Sequence, residues 1–181
     1  MINNTTQLKK EKTLQKKIEY VDVVNDADDI VGTVSWDEMF AKKLIHRTAA
    51  VLLFNSHGEI YVHKRCDHLK QYPGKYDIKF GGAVQSAESY EAAARRELFE
   101  EAHVLATALI PLFKLQTRSA ENNANRMMFK LVYDGKIILD ETEATDGKFM
   151  KIIDVEKLIS SGKLSPSGID VFRKFKEMKF N

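Results

Sequence analysis

Near the start of the chain, β-branched and other apolar residues alternate with polar ones in two short runs, at residues 18–24 and 30–35. Between the runs lies an acidic stretch, residues 25–29, whose Asn, Asp and Ala residues favour a turn. This pattern predicts a β-hairpin over residues 18–36. Residues 1–17 are polar and lysine-rich, with too few apolar side chains to form structure alone, so we expect a disordered tail there.

Downstream of the hairpin, strand-like and helix-like patterns alternate, which predicts a single α+β domain over residues 18–181 with a core at about 45–176. The predicted strands are residues 48–54, 59–65, 80–84, 109–117, 127–133, 136–139 and 149–152. The predicted helices are residues 37–44, 89–102, 154–160 and 167–179. The polar stretch 118–126 is predicted to be a loop that contributes to substrate selectivity.

Composition limits the possible functions. The chain has 181 residues and a net charge of only +2, which fits one globular domain and gives no sign of a stable nucleic-acid partner. The single cysteine, Cys66, excludes an intramolecular disulfide and suits a reducing compartment. No apolar run approaches the roughly 20 residues of a membrane span. We therefore expect a cytoplasmic protein with no membrane partner.

The helix predicted at residues 89–102 carries three glutamates at helical spacing. Glu97 and Glu101 lie one turn apart, and Glu100 lies three residues after Glu97, so all three are expected on one side of the helix. Such like charges repel by roughly a few tenths of a kcal/mol per pair, which a divalent cation would offset. Mg²⁺ prefers oxygen ligands and is usually held by one or two carboxylates together with substrate phosphates. The pattern predicts a magnesium site, with a solvated acidic helix face as the alternative.

The segment around these glutamates resembles the Nudix box, in which Gly, five residues, Glu, seven residues and Arg-Glu-aliphatic-any-Glu-Glu-any-Gly-aliphatic follow in order. The matching positions are Gly82, Glu88, Arg96, Glu97, Leu98, Glu100, Glu101 and Val104. The late glycine of the box is His103 here. A left-handed residue at a helix C-cap tolerates histidine at a greater cost than glycine.

The resemblance implies a Nudix-type α/β/α sandwich with a mixed central sheet, alongside the N-terminal hairpin. It implies Glu97 and Glu101 as the main ligands of Mg²⁺, with Mn²⁺ as a substitute, and Glu100 as a further ligand or a base. Gly81 would offer its carbonyl to the metal. By the same resemblance, Glu88 and Arg96 orient the glutamates and brace the loop that contains Gly82.

Two further residues are candidates with open alternatives. In many family members a later loop glutamate acts as base or ligand, and Glu143 is the candidate here, against an ordinary surface glutamate. Arg65, at the end of the strand 59–65, is a candidate phosphate contact, against a solvated strand end. The hairpin at 18–36 also offers a route to a homodimer, although no sequence feature requires one.

The expected activity is Mg²⁺-dependent hydrolysis of a diphosphate linkage in a nucleoside diphosphate joined to another group, so the expected partner is a small phosphorylated substrate. Upstream residues resemble the isopentenyl-diphosphate isomerase-like branch, namely Asp22 and residues 30–33, 44–47, 54–59 and 72–76. Residues 77–82 lack the cysteine with which true isomerases protonate or deprotonate carbon, which argues against that activity. A non-catalytic ligand-binding module on the same fold is the other alternative.

Overall fold

The computed structural model describes residues 19–119 and 122–179, and the tail expected at residues 1–17 lies outside these ranges. In the described part, nine strands form one mixed sheet that packs with four helices. The strands are β1 (Tyr20–Val24), β2 (Ile30–Ser35), β3 (His46–Phe54), β4 (Ile60–Arg65), β5 (Tyr76–Asp77), β6 (Phe80–Ala83), β7 (Ile110–Arg118), β8 (Asn123–Val132) and β9 (Ala144–Met150). The helices are α1 (Trp36–Lys42), α2 (Tyr90–Ala102), α3 (Ile152–Ser160) and α4 (Pro166–Lys179).

Strand β3 organises the sheet. It pairs in parallel with β8 along its whole length, and it pairs antiparallel with β6, β1 and β4. Strand β8 also pairs antiparallel with β7, while β4 pairs with β5 and β9. Because β3 is enclosed on both faces and both edges, its apolar run shows no alternation with polar residues.

Alternate side chains of β3 enter two separate cores. Ala49, Val51 and Leu53 pack on the face covered by α2, while Ala50, Leu52 and Phe54 pack on the face covered by α3 and α4. Each large apolar side chain buried in this way contributes about 1.5–3 kcal/mol relative to exposure. The expected α/β/α sandwich with a mixed sheet is therefore confirmed. None of the described helices is long and apolar enough to span a membrane.

The N-terminal hairpin is also confirmed, since β1 and β2 pair antiparallel and β1 joins the edge of β3. Its turn is fastened to the domain by Asp28, which has a left-handed backbone with φ of 72°. The Asp28 carboxylate accepts hydrogen bonds from Arg47 at 3.0 Å, Lys114 at 2.8 Å and Tyr90 at 2.9 Å. The acidic turn is thus part of the packed structure.

The strand predicted at residues 136–139 is wrong. These residues follow an irregular path over the C-terminal end of α2, where Ile138 N donates to Ala102 O at 3.1 Å and Asp140 N donates to Glu101 O at 2.9 Å. The last carbonyls of a helix lack hydrogen-bond donors within the helix, and the N–H groups of this segment act as those donors. Its apolar side chains Ile137 and Leu139 pack on the core beneath α2, which explains the strand-like pattern.

The loop predicted at residues 118–126 is also largely wrong, because β7 runs to Arg118 and β8 begins at Asn123. The polar side chains that suggested a loop have partners within the fold: Asn125 donates to Asn25 O at 3.1 Å, and Arg126 donates to Thr48 Oγ1 at 3.2 Å. Near the C-terminus, the predicted strand 149–152 is replaced by β9, and α3 begins at Ile152 rather than at Asp154.

Candidate active site

Helix α2 is delimited by its own sequence. At its start, Ser89 Oγ accepts a hydrogen bond from Ala92 N at 3.1 Å, as a serine N-cap does. At its end, His103 has φ of 52° and ψ of 33°, and its N–H donates to Phe99 O. The left-handed C-cap expected at the position of the missing glycine is therefore present. His103 Nδ1 also lies 3.0 Å from Ile138 O, so the ring joins the segment that covers the helix end.

The two glycines of β6 let the strand lie very close to its neighbours. A Cβ atom on Gly82 would stand 2.6 Å from the Glu97 carboxylate, and a Cβ on Gly81 would stand 2.1 Å from Ala49 O. Gly81 N donates to Glu101 Oε2 at 3.0 Å. Two carboxylates of α2 thus lie directly against glycine backbone, which no larger residue would allow.

Arg96 is the centre of an ion-pair network behind these carboxylates. It binds Glu88 with two parallel hydrogen bonds of 3.0 Å each, and it donates to Glu97 Oε1 at 2.7 Å and to Ala83 O at 2.9 Å. Glu88 in turn accepts from Gln85 N. Arg96 therefore joins the loop before α2, the end of β6 and one glutamate of the helix in a single network.

The third glutamate of the helix occupies a different position. The Glu100 side chain is 56% exposed and lies 3.1 Å from Arg96 Nη1, whereas that of Glu97 is only 15% exposed. Glu97 and Glu101 line the cleft described below, and Glu100 is not among its lining residues. The three carboxylates share one side of the helix, but only two of them line the cleft.

Glu143 reaches the same cleft from a turn that is anchored on both sides. Its N–H donates to Asp140 O at 3.0 Å, and its carbonyl accepts from Cys66 N at 3.0 Å. The Cys66 thiol is buried and donates to Glu141 O at 3.3 Å. Since Asp140 N is bound to the last turn of α2, the turn that carries Glu143 is fixed next to Glu101.

The glutamates line one side of a cleft of about 590 Å³. Its wall combines the β6 glycines with residues from α1, the segment after β4 and the start of β8. The side chains that bear on function are Glu97, Glu101, Glu143, Arg65, Lys79, Arg126, Tyr72, His46, Trp36 and Phe40. Acidic, basic and aromatic groups thus border a single space large enough for a small ligand.

The sequence matches the NUDIX domain family over residues 44–175. The chain belongs to the Nudix hydrolase family. It is 30% identical to an uncharacterized Nudix hydrolase of Escherichia coli, YfcD, with 71% of each chain covered, and 29% identical to a Nudix hydrolase of Deinococcus radiodurans, with 73% of this chain and 78% of that protein covered. As a Nudix hydrolase, the protein acts on pyrophosphate bonds.

Solved structures agree with this assignment. A crystal structure from Deinococcus radiodurans superposes with a TM-score of 0.76 at 26% identity, covering 86% of this chain and 98% of that one. The NUDIX domain of Shewanella oneidensis NrtR, in complex with ADP-ribose, superposes with a TM-score of 0.60 at 18% identity, covering 80% of this chain and 99% of that one. The second likeness shows a common fold alone.

The electrostatics of the Nudix glutamates differ from those of an ordinary surface cluster. Burial, together with the charge of Glu97, raises the pKa of Glu101 well above its usual value. Burial also raises the pKa of Glu97, although Arg96 opposes this shift. Glu101 has Gly81 N as a hydrogen-bond donor but no ion pair to a cationic side chain in the part of the chain that the structure describes. A positive charge in the cleft would therefore stabilise its ionised form.

Nudix hydrolases generally use divalent metals such as Mg²⁺, and the donors in this cleft fit such an ion. Glu97, Glu101 and Glu143 offer carboxylate oxygens and Gly81 offers a carbonyl, which are the hard ligands that Mg²⁺ prefers. Within residues 19–119 and 122–179, no three His, Cys, Asp or Glu side chains are grouped so that they could hold a metal ion by themselves. Mg²⁺ is usually held by one or two carboxylates together with waters and phosphate oxygens.

Four cationic residues, Arg65, Lys70, Lys79 and Arg126, line the cleft, and three of them have partners within the fold. Arg65 Nε donates to Gln71 O at 3.1 Å, and its side chain is partly exposed at the position expected for a phosphate contact. Lys79 is partly buried and paired with Asp77 at 2.9 Å, and this charge helps to lower the pKa of Asp77 to about 2 although Asp77 itself is buried. Arg126 was not recognised in the sequence because it lay in the predicted loop. Its burial in β8 depends on hydrogen bonds to Thr48 and Ser167, and the sequence pattern of residues 123–132 does not show these partners.

Proposed function

We propose that this protein hydrolyses a diphosphate linkage in a nucleoside diphosphate joined to another group, in a reaction that depends on Mg²⁺ or Mn²⁺. The observation that carries the proposal is the shared cleft of Glu97, Glu101 and Glu143, lined also by the paired glycines and by Arg65. Carboxylates, backbone oxygen and a cation in one space suit the binding of a metal-complexed phosphate ester.

In this proposal Glu97 and Glu101 hold the metal, with the Gly81 carbonyl as a further ligand. When bound, the metal would neutralise phosphate charge and lower the pKa of a ligated water. Gly82 leaves space for the Glu97 carboxylate against the strand, where a side chain would displace it. Arg96 fixes Glu97 by a 2.7 Å contact and is itself fixed by Glu88, so both act as positioning residues.

Glu143 is proposed as the general base that takes a proton from the attacking water. It lies close enough to Glu101 for its charge to contribute to the raised pKa of that residue. A base in this position must be within hydrogen-bond reach of the water. Glu100 is the alternative base or a further ligand, and its exposure and contact with Arg96 make it the weaker candidate.

Arg65 is proposed to contact a substrate phosphate. Its Nε is bound to Gln71 O, which leaves the rest of the guanidinium to form charge-assisted hydrogen bonds.

Isomerase chemistry is disfavoured by the position of the one cysteine. Cys66 is buried, donates to Glu141 O and is not among the residues that line the cleft within the described part of the chain.

The test is a screen for phosphate or nucleoside monophosphate release from nucleoside triphosphates, nucleoside diphosphate sugars and dinucleotides, with Mg²⁺ and with Mn²⁺. We expect turnover of at least one class that the Glu101→Gln variant removes. Glu91→Gln is the matched control, because Glu91 lies on the same helix but pairs with Arg95 outside the cleft. Equal turnover by the parent and Glu101→Gln would contradict the proposed site.

A further inference from the structure

Arg126 is a buried cation whose direct partners are uncharged. Its side chain lines the cleft, and the residue is 8% exposed. Arg126 Nε donates to Thr48 Oγ1 at 3.2 Å, and Nη1 donates to Ser167 Oγ at 3.1 Å. Hydroxyl groups satisfy two donors of the guanidinium but leave its charge uncompensated. A buried charge of this kind destabilises the fold unless a counter-ion offsets it.

The described chain does not supply that counter-ion at contact distance. Arg126 forms no ion pair with any carboxylate of residues 19–119 and 122–179. Asp77 exerts the largest favourable charge effect on it, but that carboxylate is already bound by Lys79 and by Ser165, each at 2.9 Å. Burial accordingly lowers the pKa of Arg126 below its ordinary value.

One nitrogen of the guanidinium remains available to a ligand. Nη2 makes no hydrogen bond within the described residues, yet it is not sealed inside the protein. The one sealed side-chain nitrogen or oxygen without a partner in that part of the chain is Nδ1 of His63. Because Arg126 lines the cleft, its free donor opens onto the same space that the glutamates border.

The position of Arg126 in the sheet separates it from the glutamates. Thr48 of β3 has Ala83 of β6 as its partner on one side and Arg126 of β8 on the other. Since neighbouring strands lie about 4.8 Å apart, the backbones at Ala83 and Arg126 are about 10 Å apart. The cleft therefore has an acidic wall near β6 and a cationic group two strands away.

We propose that Arg126 binds a phosphate group of the substrate on the β8 side of the cleft, an inference that rests on the proposed function for the identity of the substrate. The planar fork of arginine matches phosphate oxygens, and Thr48 and Ser167 hold that fork in one orientation. Burial and the charge of Arg126 lower the pKa of the neighbouring His46, which disfavours a second positive charge beside Arg126. Arg126 thereby selects substrates that carry an anion at this distance from the metal-binding wall.

The test uses inorganic phosphate as the probe and metal-free protein in EDTA, with affinity measured by isothermal titration calorimetry. Replacing an arginine that binds a charged group weakens binding by about ten-fold or more. We expect that loss in Arg126→Met and a smaller loss in Arg126→Lys, which keeps the charge without the fork. Arg95→Met is the matched control, since Arg95 pairs with Glu91 outside the cleft, and its phosphate affinity should equal that of the parent.

Thermal unfolding without phosphate separates binding from a structural role. If Arg126 serves a ligand, Arg126→Met removes an uncompensated buried charge, and the unfolding midpoint stays the same or rises. A lowered midpoint together with unchanged phosphate affinity would assign Arg126 to folding and overturn the inference. Absence of phosphate binding by the parent, or binding of acetate as tight as that of phosphate, would overturn it as well.

These outcomes are independent of the hydrolase assignment. Phosphate binding that Arg126→Met removes, without turnover of any substrate in the screen, would support the anion site and contradict the proposed function. Metal-dependent turnover with an unchanged KM in Arg126→Met would support the hydrolase and contradict the anion site.

Discussion

The carboxylates of Asp28 and Glu101 both have limited contact with solvent, but their hydrogen-bond and ion-pair partners differ. Although burial alone would raise the pKa of Asp28, hydrogen bonds from Lys114, Arg47, Tyr90 and Asn125 lower it to about 2. Glu101 has Gly81 N as its donor, and burial together with the charge of Glu97 raises its pKa well above the usual value. Cationic side chains contact the first carboxylate directly, whereas the second forms no ion pair among the described residues and is favoured only by the more distant charge of Lys79.

This difference indicates which carboxylate serves folding and which serves a ligand. Asp28 ties the hairpin turn to α2, β3 and β7, so its ionised form stabilises the packed hairpin. Glu101 in its ionised form is destabilised by the protein alone, which is the usual condition of a group positioned for an ion or a reaction. Substitutions at the two sites should therefore have opposite effects on stability and on activity.

The largest expected effect is on turnover by Glu101→Gln. Loss of the carboxylate proposed as a metal ligand should lower kcat by more than about 100-fold, since even groups that only support a ligand contribute up to about that factor. The free energy of unfolding without metal should stay equal or rise, because a buried charge has been removed. Urea unfolding and turnover of the best substrate measure the two quantities, and a destabilised but active variant would reverse the assignment.

Asp28→Asn should show the opposite behaviour. The side chain is 13% exposed, and its lowered pKa corresponds to about 1–2 kcal/mol of stability at neutral pH after allowance for screening by solvent. Because the folded-state pKa lies below the unfolded value of 3.8, this contribution is complete above that value and is lost as the pH falls toward about 2. Urea unfolding of parent and variant across this range measures it, and kcat should be unchanged.

A third expectation concerns Arg96, which connects Glu97 to the loop before α2. Arg96→Lys keeps the charge but cannot reproduce the paired contacts with Glu88 and the bonds to Glu97 and Ala83 together. We expect about a ten-fold loss of metal affinity, measured by calorimetry with Mn²⁺. If Arg96→Lys binds Mn²⁺ as tightly as the parent, the contacts of Arg96 do not position the metal ligands.

The smallest effect is expected for Glu100→Gln. Since Glu100 is exposed and is absent from the cleft lining, kcat should fall by less than about ten-fold, well below the roughly 100-fold or more that a general base contributes. Glu143→Gln, measured in parallel, should show the larger loss. A larger loss of kcat in Glu100→Gln than in Glu143→Gln would assign the role of base to Glu100 instead of Glu143.

The sequence predicted the parts of the site that local spacing determines. Helical periodicity and the Nudix pattern identified Glu97, Glu101, Arg96 and the glycines, and the structure brings these residues together. Long-range polar contacts could not be predicted in the same way. Arg126 looked like a loop residue because its partners, Thr48 and Ser167, are distant in the sequence. The turn that carries Glu143 was likewise hidden, since residues 136–139 satisfy the end of α2 instead of joining the sheet.

We propose that a metal ion supplies the cationic partner that Glu101 lacks at contact distance within residues 19–119 and 122–179. Titration of Mn²⁺ into the parent, Asp28→Asn and Glu101→Gln by calorimetry tests it most directly. We predict the same affinity for the parent and Asp28→Asn, and an affinity at least about ten-fold weaker for Glu101→Gln. Binding of Mn²⁺ to Glu101→Gln as tightly as to the parent would contradict the claim.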